Sequence, residues 1–335
     1  MTDKLRWGVL STAQINDALL EPIRRAARSE LVAVASRSQE KADAYAQEKG
    51  IPTAHGSYEA LLADPNVDVI YNSLPNTLHC EWTVKAAQAD KHVLCEKPIA
   101  PTLAELDQIE AAAQANQVTV FEAFMYLHHP QIRKVKEIIQ SGQLGELKLI
   151  SSWYAYFFPP EDTANIRLNP DLAGGALWDV GVYPNSLAIV LTEAGPPLEV
   201  WASQTLGDSG VDVAMTAQMK FKSGVEAQIT CSFLSPFPEG AQITGSEGML
   251  QLNESWKPGL NWQKDTELIL SHRGGYKETI VIPAIDPYFC EVEAMEACVL
   301  DGAEPVVPLS LSRDFLRSIL ALYESARTGQ PVCLV

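Results

Sequence analysis

Short, nearly continuous apolar runs alternate with helical stretches through the first third of the chain. Residues 5–10, 31–35, 67–72, 93–95 and 118–121 are rich in Val, Leu, Ile and Ala and do not alternate apolar with polar, the pattern of strands buried on both faces. Apolar-periodic helices lie between them: one opening after Asn16, others over 39–49, 80–89 and 102–116, and one ending before Asp64-Pro65. This alternation predicts an α/β fold whose first part is a doubly wound parallel sheet of six strands, five of which these runs place. After Ala123 the pattern changes. A helix over 131–139 stops at Ser141-Gly142. Long period-two stretches then follow over 148–157, 198–206, 213–221, 225–233, 241–244, 249–252, 266–271 and 279–282. Turn signals at Lys222-Ser223-Gly224 and Gly245-Ser246-Glu247-Gly248 connect some of them, which predicts a large, open, mostly antiparallel sheet in an α+β domain. A last helix over 312–328 is expected to pack back onto the body.

A chain of 335 residues with 47% hydrophobic content suits two domains, set at 1–122 and 123–335. The 25 Lys and Arg against 42 Asp and Glu leave a net charge of −17, a field that repels nucleic acid and anionic lipid, so neither is expected as a partner. No apolar run approaches the length of a membrane span, and the N-terminus lacks the features of a signal or transit peptide. The six cysteines show neither CxxC pairing nor metal-ligand spacing. Reduced thiols, a cytoplasmic location and no bound metal are the expectations. A wide open sheet needs one face covered by helices and the other managed, here by a homodimer or higher homo-oligomer.

The candidate chemistry gathers at strand ends. In KHVLCEKPIA, residues 91–100, Lys97 follows a short strand and precedes Pro98, which denies it the α region and restricts the aim of its ammonium. Open α/β sheets bind ligands beyond the carboxyl ends of their strands, although an isolated Glu-Lys-Pro also reads as a surface turn. Residues 11–16 form a strand–turn–helix junction with S-x-A-x-x-N in place of the glycines of a dinucleotide fingerprint. Ser36 and Arg37, with Lys41 one turn into the next helix, stand where an NAD site places a carboxylate, which favours a 2′-phosphate and hence NADP. A surface ion pair of Arg37 with Glu40 is the alternative. Asn76 and His79 lie beyond the strand 67–72, where loop polar groups reach a cofactor; capping of the next helix by Asn76 and Thr77 is the structural alternative, and the two roles are compatible. Further on, Asn165–Pro170 and Gly174–Pro184 contain Arg167, Trp178, Asp179 and Tyr183. Asp179 and Tyr183 share a helix face at a spacing of four, so the phenol is either a general base beside a lysine or a core tyrosine bonded to Asp179. The aromatics Trp153, Tyr154, Tyr156, Phe157 and Phe158 either wall a sugar-sized pocket or line the sheet face.

Taken in order, Arg6-Trp7-Gly8-Val9, Ser36-Arg37-Ser38, Pro75-Asn76-x-x-His79, Glu96-Lys97-Pro98, Glu122-Ala123-Phe124-Met125-Tyr126 and Gly174-Gly175-Ala176 through Tyr183-Pro184 resemble the glucose–fructose oxidoreductase/inositol dehydrogenase (Gfo/Idh/MocA) family over the whole chain. The likeness is to its branch of NADP-linked aldose dehydrogenases and dimeric dihydrodiol dehydrogenase, which carries Tyr-Pro where the inositol dehydrogenases carry a histidine. This resemblance implies an N-terminal Rossmann domain that binds NADP in preference to NAD, and a C-terminal domain for substrate and oligomerisation. It implies hydride transfer between nicotinamide and a sugar or cyclic polyol alcohol. Lys97, Tyr183 and Asp179 match the catalytic positions, and Pro98 matches a proline often preceded by a cis bond. The candidate cofactor-binding set is Ser11, Thr12, Ala13, Gln14, Ile15, Ser36, Arg37, Lys41, Leu74, Pro75, Asn76, His79, Glu96, Lys97, Arg167 and Trp178. Dihydrodiol oxidation, keto- or anhydro-sugar reduction, and a non-catalytic NADP-binding sensor are the alternatives. Relatives commonly continue with Arg-Phe-His-Pro where this chain has Leu127-His128-His129-Pro130.

Overall fold

In a computed structural model the described residues are 4–159, 165–236 and 239–334; the outer domain limits at Met1 and Val335 fall outside them. The chain forms two compact units. One comprises residues up to His128 together with Asp286–Ser312, and the other His129–Ile285 with Arg313 onward. The single division expected after residue 122 is therefore replaced by a first unit that runs six residues further and takes in a distant segment.

The first unit contains strands β1 (Leu5–Leu10), β2 (Ser29–Ala35), β3 (Thr53–His55), β4 (Val69–Asn72), β5 (His92–Glu96) and β6 (Val120–Ala123), all parallel in the order β3-β2-β1-β4-β5-β6. Helices α1 (Asn16–Arg25), α2 (Gln39–Lys49), α3 (Tyr58–Leu62), α4 (His79–Gln88) and α5 (Leu103–Asn116) make the crossovers. Local chemistry fixes their ends. The Ser38 side chain accepts from Lys41 N at the start of α2, and Gly50 closes that helix in the left-handed conformation. Thr102 Oγ1 accepts from Glu105 N and donates to Glu105 Oε2 at 2.7 Å, an N-cap on α5 braced by the Glu105 carboxylate. After the short α6 (Met125–His128), the second unit opens with α7 (Pro130–Gln140), where Pro130 and the His129 cap fit the first turn.

The second unit carries β7 (Leu147–Ala155), helix α8 (Val182–Thr192) and strands β8 (Glu199–Leu206), β9 (Asp212–Lys220), β10 (Glu226–Ser232), β11 (Glu239–Gly245), β12 (Gly248–Leu252), β13 (Thr266–His272) and β14 (Lys277–Ile282). With β15 (Val332–Cys333) they form a nine-stranded sheet in the order β14-β13-β12-β11-β7-β10-β9-β8-β15. Every pairing is antiparallel except β7 with β10. A one-turn π-helix, Leu177–Gly181, precedes α8 and lies on one face of this sheet. A Cβ at Gly181 would meet Cys231 Sγ on β10 at 2.8 Å, so only glycine lets the two backbones approach so closely. Helix α9 (Pro287–Asp301), capped by Asp286, returns to the first unit against α1 and α6. There Glu296 accepts from Arg28 N and Ser29 Oγ, while Arg28 holds Asp301 through two bonds of 2.8 Å. Helix α10 spans Leu309–Thr328.

Candidate active site

The loop after β5 is tied down at three points. Tyr71 on β4 donates its hydroxyl to Glu96 Oε1 at 2.5 Å. Glu122 on β6 accepts from Ile99 N at 2.9 Å. His79, fully buried at the head of α4, sets Nδ1 2.7 Å from Pro98 O and Nε2 2.7 Å from Leu74 O. The Lys97–Pro98 bond between these anchors is cis, and Lys97 is half-buried. Burial pushes His79 down to about 4 and Glu122 up to about 7. His79 was expected at the cofactor. Its two ring nitrogens each face a backbone carbonyl, one in the β4 loop and one in the β5 loop, and the single N–H of the neutral ring can donate to one of them. Leu74 is likewise buried, whereas Pro75 and Asn76 are half-buried. The residue at the N-cap of helix α4, Leu78, supplies no side-chain cap.

The junction after β1 replaces its fingerprint glycines with a polar network. Ser11 takes the left-handed conformation (φ 88°), and its Oγ accepts from Ala13 N at 3.1 Å. Asn16, buried where the third glycine would stand, donates to Ser11 O at 3.0 Å and accepts from Ser73 Oγ at 2.6 Å. Ser11, Thr12 and Ala13 are half-buried, while Gln14 and Ile15 are exposed. After β2, Ser36 is buried, but Arg37 and Lys41 are exposed. Among the described residues neither cation has an ion-pair partner, so the surface pairing of Arg37 with Glu40 does not form. The sheet order reverses between β1 and β4, the switch point at which open parallel sheets take dinucleotides. Small residues at the turn, an uncapped α1 and unpaired cations beyond β2 fit such a ligand with a 2′-phosphate.

In the second unit Asp179, on the π-helical turn, accepts from Tyr156 Oη at 2.7 Å and Arg167 Nε at 2.8 Å on the same oxygen. Arg167 is thus committed to Asp179 and keeps 41% of its side chain exposed. Tyr183, 5% exposed, stands edge-on to Tyr154 (centroids 5.4 Å) and against Trp256 (5.8 Å). Burial pushes the Tyr154 and Tyr156 phenols well above their usual range, so both stay protonated as donors. Trp178 packs on Tyr323 and is 8% exposed. Trp153 leans over Gly240 on the opposite face of the sheet, and Phe158 packs on Phe233 beside Tyr156. The expected aromatic wall is thus split between two faces. Sequence reasoning missed Tyr71, Ser73, Glu239 and Trp256, all of which sit inside strands or loops with no motif of their own.

Comparison with known proteins now decides the family. A model described as the oxidoreductase family with NAD-binding Rossmann fold matches residues 5–124, and one for the GFO/IDH/MocA C-terminal domain matches 132–251. The chain is 37% identical to a D-xylose 1-dehydrogenase (NADP(+)) of Haloferax volcanii, over 98% of this chain and 99% of that one. This protein belongs to the GFO/IDH/MocA oxidoreductase family. Within the family it is also 30% identical to trans-1,2-dihydrobenzene-1,2-diol dehydrogenase of Mus musculus, over 94% of this chain and 95% of the relative. Among solved structures, a 3-ketoreductase from Actinomadura kijaniata in complex with NADP and TDP-benzene matches with TM-score 0.85 and 31% identity, covering 98% of each chain. The matched family is an oxidoreductase family and its named relatives here are dehydrogenases, so this chain is an enzyme of that class; the expected fold, a Rossmann-type parallel sheet with a large, mostly antiparallel second sheet, is the one observed.

Proposed function

We propose that this enzyme is an NADP-dependent dehydrogenase of an aldose or cyclic polyol, with Tyr183 as acid/base and Lys97 as its cationic partner. The observation that carries the reading is the whole-length likeness to an NADP-linked D-xylose 1-dehydrogenase, in a chain whose Lys97 loop is anchored at three points. The nicotinamide, when bound, supplies the hydride acceptor. Tyr183 takes the proton of the substrate hydroxyl, a step that a positioned acid/base group speeds by ~10²–10⁴-fold. The Lys97 ammonium hydrogen-bonds the substrate oxygen and favours the ionised phenol by its charge. Asp179 acts through Tyr156 and Arg167, holding both donors at fixed places next to the aromatic cluster. Turn residues 11–15 receive the dinucleotide, and Arg37 with Lys41 receives the 2′-phosphate. Lys97→Ala and Tyr183→Phe are each expected to lower kcat by ~10²–10⁴-fold while NADPH binding, read by fluorescence titration, stays within a few-fold. Full activity in both variants would refute the assignment. Tight NADPH binding by the wild type with no turnover in either direction would favour a sensor.

The open face of the second sheet supports a homodimer. Two rows, Trp201–Gln218–Gln228 and Thr216–Thr230–Trp153, each cross three strands in register without one charge, in a chain of net charge −17. Trp201 is 42% exposed there. Such a surface fits burial against a second copy better than permanent exposure. All six cysteines are free thiols, which accords with a cytoplasmic enzyme. Among the described residues, no helix is long and apolar enough to cross a membrane.

A further inference from the structure

Glu239 opens β11 directly opposite Tyr154 of β7, and residues paired in this way project from the same face of the sheet. That face carries the aromatic cluster: the Tyr154 ring meets Tyr183 at 5.4 Å and Trp256 at 6.1 Å. Glu239 Oε2 accepts from Trp256 N at 3.2 Å. Among the described residues its other oxygen accepts no hydrogen bond and the carboxyl has no ion-pair partner. Nor is it sealed away: the residue is half-buried, and neither oxygen is a buried orphan. Beside the aromatic cluster, a carboxyl with one oxygen still open can meet a ligand.

We infer that Glu239 binds a hydroxyl of the sugar or polyol substrate remote from the carbon that is oxidised, and so sets which sugars are accepted. The inference rests on the dehydrogenase reading above. The neighbouring charges support a neutral partner rather than a cation. Arg167 and Asp179 neutralise each other nearby, Lys264 pairs with Glu254, and Lys257 adds a further positive field on Glu239. Burial pushes the Glu239 carboxyl up to about 7, so near neutrality it both donates and accepts, as a hydroxyl does. Aromatic faces beside a carboxyl are suited to the C–H face and hydroxyl edge of a sugar ring.

The test is calorimetric titration of the NADPH-saturated protein with D-xylose and its 2-, 3- and 4-deoxy analogues, in wild type and in Glu239→Gln. The glutamine oxygen still accepts from Trp256 N, so the loop keeps its anchor. In the wild type, one deoxy analogue should bind about ten- to a hundredfold more weakly than D-xylose, the range of a hydrogen bond to a charged group. Glu239→Gln should erase the difference for that analogue alone and raise KM for D-xylose, with kcat within about twofold. Equal weakening of all four sugars, no weakening of any, or a fall in kcat at constant KM overturns the assignment. If wild type binds no D-xylose the assignment also falls, while NADP reduction by another alcohol would leave the dehydrogenase reading standing. The expected pattern without any turnover would keep Glu239 as a sugar ligand and remove the dehydrogenase reading.

Discussion

Glu122→Gln separates the anchoring of the Lys97 loop from its electrostatic cost. Glu122 is 3% exposed and accepts from Ile99 N at 2.9 Å. Burial is the main cause that raises its carboxyl from 4.5 to about 7; Glu96 adds to the rise and Lys97 opposes it. Below pH 4.5 the group is protonated in both folded and unfolded chains and does not affect the pH dependence. From pH 4.5 to about 7 the unfolded carboxyl ionises while the folded one holds its proton, so the folded state loses ~1.4 kcal/mol for each pH unit. Above about pH 7 both forms ionise, and the loss levels off at about 3 kcal/mol. A glutamine keeps an oxygen for Ile99 N and has no proton to hold.

Urea unfolding followed by far-UV circular dichroism at pH 4.5, 6 and 8 reads this directly. The variant should lie within about 1 kcal/mol of wild type at pH 4.5 and become the more stable protein by pH 8, with the gap widening to about 3 kcal/mol. Glu291 and Glu239, whose carboxyls are also raised by burial, titrate alike in both proteins and cancel in the difference. Parallel stability curves from pH 4.5 to pH 8 would show that Glu122 is already ionised in the fold at low pH, and the reasoning would fail.

Two further outcomes bear on the cofactor and the assembly. Arg37→Ala should raise the Kd for NADPH about tenfold or more and that for NADH by less than twofold, since only the former carries the 2′-phosphate; equal losses would show that Arg37 reads nothing on the ribose. Trp201→Lys with Gln228→Lys should convert a dimer to a monomer in sedimentation velocity, because each charge would be buried against a copy of itself. An unchanged sedimentation coefficient would refute the dimer proposed on this face.

The sequence makes some of this fold plain because the relevant signals are local. β1, β2, β4, β5 and β6 are buried apolar runs, and their helices carry caps such as Ser38 and Thr102 that can be read residue by residue. Thr53–His55 could not be placed: three residues, none fully buried, give no apolar run, and only pairing with β2 makes them a strand. Helix α9 does have an Asp-Pro start signal, but its assignment to the first unit depends on contacts with residues more than two hundred positions away, such as Glu296 with Ser29. No window of sequence contains that information.

The site divides in the same way. Lys97 is legible because the proline after it constrains its own neighbour. Tyr71, His79 and Glu122 are not legible as its clamp, because each looks like an ordinary core or strand-end residue until the order of β4, β5 and β6 brings them around one loop. Glu239 is the sharper case. Period two tells which residues of β7 share a face, and it puts Tyr154 with Ser152, but it does not say what stands across the ladder. A slip of one residue between β7 and β11 would set Gly240 opposite Tyr154 and turn the carboxyl to the other face. What prevents the slip is itself a contact across the ladder: Trp153 lies over Gly240, where any Cβ would strike its indole. The position of one carboxyl in the site is therefore fixed by a tryptophan and a glycine on the face turned away from it.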